Sequence, residues 1–174
     1  LSTWLAEIRP LAFENIPLQT VTENDFDDSL LWSFANAFED SSANLNLYNT
    51  GDFLRKDLLL AVGNADEFFP TVAAVLLFGH NERVSELLPR SNLTVARYSG
   101  EGPTAQLIEA VEIKGNMLTQ FEAIFDFLRL YIDFAKELPK RRLTLVGDAI
   151  AAPRGRYHQY SVTEAVINAL IHRD

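Results

Sequence analysis

Apolar positions along this chain recur first at helical spacing, then alternate, then return to helical spacing, and these changes of period divide it into elements. Residues 1–22 hold Pro10 and Pro17 and show no clean period. They read as an extended arm that Trp4, Leu11 and Phe13 pin to a core. Thr22, Glu23, Asn24 and Asp25 suit a helix start, since short polar side chains accept hydrogen bonds from free N–H groups and acids favour the positive end of the dipole. Phe26, Leu30, Leu31, Phe34 and Phe38 follow at helical spacing, which predicts a helix over 25–39. The polar, Asn-rich stretch 41–50 reads as a loop. Thr50-Gly51-Asp52 opens a second predicted helix, with Phe53, Leu54, Leu58 and Leu59 on it and Gly63-Asn64 at its end.

Residues 71–79 form an uninterrupted apolar run, for which period alone does not separate buried helix from buried strand. Pro70 and Thr71 favour a helical first turn, and the expectation is a helix passing into a strand, closed by Gly79. Residues 93–99 and 105–113 both alternate, with Gly100-Glu101-Gly102-Pro103 between them, which predicts a β-hairpin with a long loop. Residues 116–138 give the strongest helical pattern. Met117, Phe121, Ile124, Phe125, Leu128, Ile132 and Ala135 make one apolar stripe, Phe127, Leu130, Tyr131 and Phe134 a second, and Pro139 marks the end. A helix apolar on two sides is covered on two sides, so this one is expected at the core. A strand is expected near 142–150 and a last helix from His158 or Ser161 past Ile171.

These elements define a mixed α/β (α+β) fold: a small mixed sheet with a β-hairpin packed on a long helix, and N-terminal helices beside it. The expected organisation is an arm and helical part over 1–70 and a mixed α/β part over 71–174. Leu1 as the first residue, Met117 as the sole methionine and Asp174 directly after a helical pattern lead us to expect a piece of a longer protein.

Composition narrows the function classes. Hydrophobic residues make up 48% and charged residues 22%, a globular balance that needs no metal or disulfide. The chain has no cysteine, which excludes thiol nucleophiles, Cys-based zinc sites and disulfides, and fits a cytoplasmic setting. No apolar run reaches membrane-spanning length, so no membrane partner is expected. A net charge of −9 opposes direct nucleic-acid binding by this piece, because such binders displace counterions with cations. Lys136, Lys140, Arg141, Arg142, Arg154 and Arg156 form a local basic exception, read as a solvated turn. His80, His158 and His172 match no zinc spacing.

The chemistry concentrates in the last helix. Glu164, Asn168 and His172 stand at i, i+4 and i+8, one polar stripe, while Val162, Val166, Ala169 and Leu170 occupy the other side. A carboxylate one turn from an amide can orient and deprotonate a water, and the amide oxygen suits Mg²⁺, a hard ion. Ser161-x-x-Glu164 is also a capping box, and spacing by itself favours the cap. Asn168 has no such structural role in a helix interior.

The string from Glu164 to Asp174 resembles the first ATP-site motif, Glu-Ala-x-x-Asn-Ala-x-x-His-Arg-Asp, of the GHKL-type ATPase domain in bacterial RecG-like, Schlafen-AlbA-type transcriptional regulators. The run from Pro70 to Gly79 is similar to that family's Pro-Thr-x-Ala-Gly-Leu-Leu-Leu-Phe-Gly, with Ala74 in place of the usual glycine. Val95 to Gly100 resembles its Arg-Phe-x-Gly strand, and Gly115 to Leu118 its Gly-x-Leu start of the long helix. The resemblance covers most of 25–174 in order. It implies Glu164 as catalytic general base, Asn168 as the Mg²⁺ ligand, and His172, Arg173 and Asp174 as further parts of the nucleotide site. It also implies a parent with an N-terminal DNA-binding domain, and a chain that ends in the first helix of a truncated ATPase-like domain. The family has Pro where His158 stands here. The glycine-rich phosphate turns and adenine-reading Asp that complete such a site are not in this sequence, nor is a P-loop. ATP and Mg²⁺ are therefore expected as cofactors of the parent and not of this chain alone. The competing expectation is a non-enzymatic interaction or dimerisation module, a homo-oligomer paired through the last helix.

Overall fold

A computed structural model describes residues 12–38, 49–63, 67–100, 102–135 and 157–172. The fold is mixed α+β, as the patterns predict. The chain forms two compact units, Leu1–Leu93 with Lys114–Leu118, and Thr94–Ile113 with Thr119–Asp174.

In the first unit, 3-10 turns at Phe13–Asn15 and Glu23–Asp25 lead to helix α1, Asp28–Phe38. The helix expected from residue 25 starts three residues later. Asp25 instead closes a capping box on Thr22, accepting from its backbone N–H at 2.7 Å and its hydroxyl at 3.0 Å. Phe26 then forms a β-bridge with Gly79, and Asp27 N–H donates to Phe78 O at 2.8 Å. Only after these extended residues does Asp27 cap α1, accepting from the N–H groups of Ser29 and Leu30 at 3.0 and 3.2 Å. Leu31 and Ala35 of α1 are buried.

The helix expected between 50 and 63 is short. One α turn, α2 (Thr50–Asp52), runs into a π-helical turn over Phe53–Asp57 and stops. Leu59 takes a left-handed conformation, φ 56°, which no helix continues through. Beyond it, strand β1 (Ala61–Val62) pairs antiparallel with β2 (Phe69–Pro70). Gly63 therefore serves a turn after β1, at φ 116°, and is not a helix stop. Thr71 caps helix α3, Val72–Phe78, its hydroxyl accepting from Ala74 N–H at 3.3 Å. The apolar run is thus helix, and Pro70 lies in the strand before it. Gly79 leaves the helix in extended geometry, with Val75 O and the Val84 side chain too close to admit a Cβ. Helix α4, Asn81–Leu87, follows and has no counterpart in the expectations above. The core of this unit gathers Phe26, Leu31, Leu54, Val75, Phe78 and Val84. Burial at this level supplies about 1.5–3 kcal/mol per large side chain.

In the second unit, strands β3 (Leu93–Ser99) and β4 (Gln106–Ile113) make the expected hairpin. Helix α5 spans Met117–Arg129, nine residues shorter at its C-terminal end than the pattern to Leu138 suggests. The backbone tightens at once, with Leu130 and Tyr131 N–H donating to Phe127 and Leu128 carbonyls. Phe134 and Ala135 form strand β5, parallel to β6 (Tyr157–His158), with Phe134 opposite Tyr157. Phe134 also places its ring 5.7 Å from that of Phe125, so its apolar character serves a strand packed back on α5. The second apolar stripe is not covered throughout, since Leu130 is 71% exposed. The segment 41–48, the strand expected over 142–150 and the six-residue basic cluster lie outside the described residues. Among the described residues, no helix is long and apolar enough to cross a membrane.

Candidate functional site

Helix α6 runs Gln159–Ile171 and carries the candidate stripe. Its start is fixed by β6: His158 is the N-cap, in extended geometry, and makes no side-chain cap hydrogen bond. Ser161 is therefore the third residue of the helix and not its cap, and the capping-box reading of Glu164 does not hold. Glu164 is the sixth residue, beyond the reach of the free N–H groups of the first turn.

Val166 and Leu170 are buried, at 8% and 4% exposure. In an α-helix Glu164 points about 200° around the axis from Val166. Glu164, Asn168 and His172 accordingly lie on the outward side, and all three are exposed. His172 is the C-cap, its N–H donating to Asn168 O at 2.9 Å. Arg173 and Asp174, assigned to the site by resemblance, lie outside the described residues.

The same outward side carries apolar surface. Tyr160 is 69% exposed, Ile171 59% and Ile167 40%. Tyr160 stands one turn before Glu164, and Ile167 and Ile171 one and two turns after it. The sequence pattern holds this signal, because Tyr160, Ile167 and Ile171 fall outside the Val162, Val166 and Leu170 stripe.

The donors present can be weighed against the implied ion. Mg²⁺ keeps several waters and takes one or two protein oxygens together with phosphate oxygens. The Glu164 carboxylate and the Asn168 amide oxygen, one turn apart and open to solvent, fit that mode. They do not fit a site built from protein ligands alone. Among the described residues, no group of three or more His, Cys, Asp or Glu could hold a metal.

A second constellation belongs to the hairpin. Tyr131 donates its hydroxyl to Glu109 Oε2 at 2.5 Å, and the Arg97 guanidinium lies 4.2 Å above the Tyr131 ring. Arg97 Nε sits 3.9 Å from the same carboxylate oxygen. The hydrogen bond to Glu109 holds the Tyr131 hydroxyl above its usual range. This clasp ties the end of α5 to β3 and β4. Alternation alone did not single it out, because its partners are distant in sequence.

Compared with known proteins, the chain matches no family model, no curated protein and no solved structure.

Proposed function

We propose that α6 carries the first motif of a GHKL-type ATP site, in an ATP-dependent, DNA-linked transcriptional regulator of the RecG-like, Schlafen-AlbA type. The observation that supports this reading is the outward placement of Glu164 and Asn168 on one exposed helical face, backed by the buried Val166 and Leu170. On this reading Glu164 orients and deprotonates the attacking water, and Asn168 lends its amide oxygen to Mg²⁺. His172, Arg173 and Asp174 extend the nucleotide site beyond the helix. Bound Mg-ATP would supply the phosphoryl group and the charge that polarises it. DNA would be held by a separate domain of the parent, since the charge of this chain, −9, disfavours that role.

The test uses the protein encoded by the full reading frame. Mg-ATP at 100 times its Kd stabilises the folded state by about 2.7 kcal/mol, which raises the melting temperature. Asn168→Ala should remove that rise. The absence of any rise in the unsubstituted protein would overturn the reading.

A second reading has its own observation. Tyr160, Ile167 and Ile171 expose apolar surface on the same face. Solitary exposed apolar residues are ordinary, but three along one helix suit an interaction surface. On that reading α6 pairs with a second copy of the chain, without nucleotide. Light scattering separates the two: a dimer that Ile171→Glu converts to monomer, with no response to Mg-ATP, favours pairing.

A further inference from the structure

Helices α5 and α6 wall a cleft of about 310 Å³, away from the face that carries Glu164. From α5 it takes Phe121, Glu122, Phe125, Asp126 and Arg129, and from α6 Gln159 and Thr163. The α5 wall repeats one unit twice, a ring followed by a carboxylate, at 121–122 and again one turn later at 125–126.

The second unit is completed by a cation from the chain itself. Arg129 donates to Asp126 Oδ1 at 2.7 Å, and its guanidinium lies 5.9 Å from the centre of the Phe125 ring. That is the arrangement a cation seeks, a carboxylate for the charge and a ring face for the flat or apolar side. The first unit has the same two parts and, among the described residues, no cation. The residue that would supply one, three places after Glu122, is Phe125. Glu122 has no partner among the described residues. Its ring, Phe121, is half-buried and lies 4.8 Å from the buried Phe125 ring at a tilt of 43°, an aromatic floor for the cleft. Gln159 and Thr163, one turn apart on α6, bring hydrogen-bonding side chains to the facing wall. Two exposed carboxylates by themselves would be a solvated helix face. The cleft, the aromatic floor and the guanidinium already seated one turn on are what set this place apart.

We infer that the cleft binds a small organic cation, an alkyl guanidinium or primary ammonium, at Phe121 and Glu122. The ligand's charged head pairs with the Glu122 carboxylate, its apolar stem lies on the half-buried Phe121 ring, and its remaining N–H groups reach Gln159 or Thr163. The cleft, at about 310 Å³, has room for such a molecule. The inference does not depend on the proposed ATP site, which uses the outward face of α6.

The test is a titration of the isotope-labelled 174-residue chain with agmatine and with butylammonium, followed by amide and side-chain NMR shifts. Saturable shifts confined to 121–126, Gln159 and Thr163 are expected, with Kd at or below the low millimolar range. Glu122→Gln, at an exposed position that keeps its shape, should weaken binding at least tenfold while the spectrum stays dispersed. Arg129→Gln should leave binding intact or tighten it, because a competing cation is gone. Linear shifts, shifts spread over the other carboxylates, or equal binding in Glu122→Gln would overturn the inference. Binding lost in Arg129→Gln and kept in Glu122→Gln would overturn it as well.

Discussion

The side-chain oxygen of Asn81 accepts a hydrogen bond from the backbone N–H of Asn116 at 2.9 Å, across 35 residues of sequence. Asn116 returns the link with its own amide, donating to Gly79 O at 3.0 Å. The residue just before α5 is thereby bound to the residues that join α3 to α4. Asn116 is buried, at 4% exposure, so these bonds form where water does not compete freely. Gly115 sits at φ 105° against the Asn81 side chain, a place where any Cβ would be strained and crowded.

Loss of this link should be measurable. Asn81→Ala removes an acceptor that serves a part-buried donor, which costs about 1–3 kcal/mol. Urea unfolding should show a lower midpoint with an unchanged slope. A midpoint equal to that of the parent chain would mean the bond contributes nothing net.

Leu59 offers the opposite sign. It is a non-glycine residue at φ 56°, and 77% exposed, so its side chain contributes little packing. Left-handed geometry costs an L-residue about 1–2 kcal/mol, and glycine adds about 0.5–1 kcal/mol of unfolded-state entropy. Leu59→Gly should therefore stabilise by about 0.5–1 kcal/mol, read as a rise in melting temperature. Leu59→Ala keeps the strain and should show no such gain.

Asp27 links stability to acid. The Ser29 hydroxyl is the main cause that lowers its pKa; burial opposes it, and the N–H groups of Leu30 and Ser29 and the nearby His80 add to the lowering. A carboxyl whose folded pKa is depressed stabilises the fold above its unfolded value, near 3.8, and that contribution fades as pH falls through the lower folded value. Asp27→Ala should cost about 1 kcal/mol at neutral pH, the usual worth of an N-cap. It should also flatten the loss of stability below that pH. An acid profile identical to that of the parent chain would separate Asp27 from the effect.

Tyr131 should report its clasp directly. Its hydrogen bond to Glu109 favours the protonated phenol, so its ultraviolet titration should lie above 10.0. Glu109→Gln removes the charge and should bring the titration down toward that value. Arg97 opposes the upward shift by its charge, so Arg97→Gln should move it further up.

Glu164→Gln and Asn168→Ala should each change stability by less than about 0.5 kcal/mol, because both side chains are exposed and cap nothing. In the protein of the full reading frame, any response to Mg-ATP should fall sharply. A variant that unfolds would show that its side chain holds the helix in place.

Particular residues explain what the sequence made legible. The hairpin is plain because Leu93, Val95 and Arg97 alternate cleanly with exposed neighbours, and period 2 admits no helix. The last helix is plain for the same reason in period 3.6, with Val166 and Leu170 as its buried stripe. The end of α5 is not legible, because Phe134 continues a helical pattern while its backbone joins β5. The stretch after Asp57 misleads for a related reason. Leu58, Leu59 and Leu60 are good helix formers, and nothing local announces a left-handed turn among them. Helix α4 is short and mostly polar, and only Val84 of it is fully buried. At the candidate site, the stripe of Glu164, Asn168 and His172 was readable from spacing. Whether Ser161 capped the helix was not, since that depends on where β6 hands over to α6.

That handover has a consequence of its own. Phe134 and Tyr157, 23 positions apart, face each other as backbone partners. The starting point of α6 is therefore anchored by the parallel pairing of β5 with β6. Which residues of α6 face outward is thus set by a backbone pairing that ends one residue before Gln159.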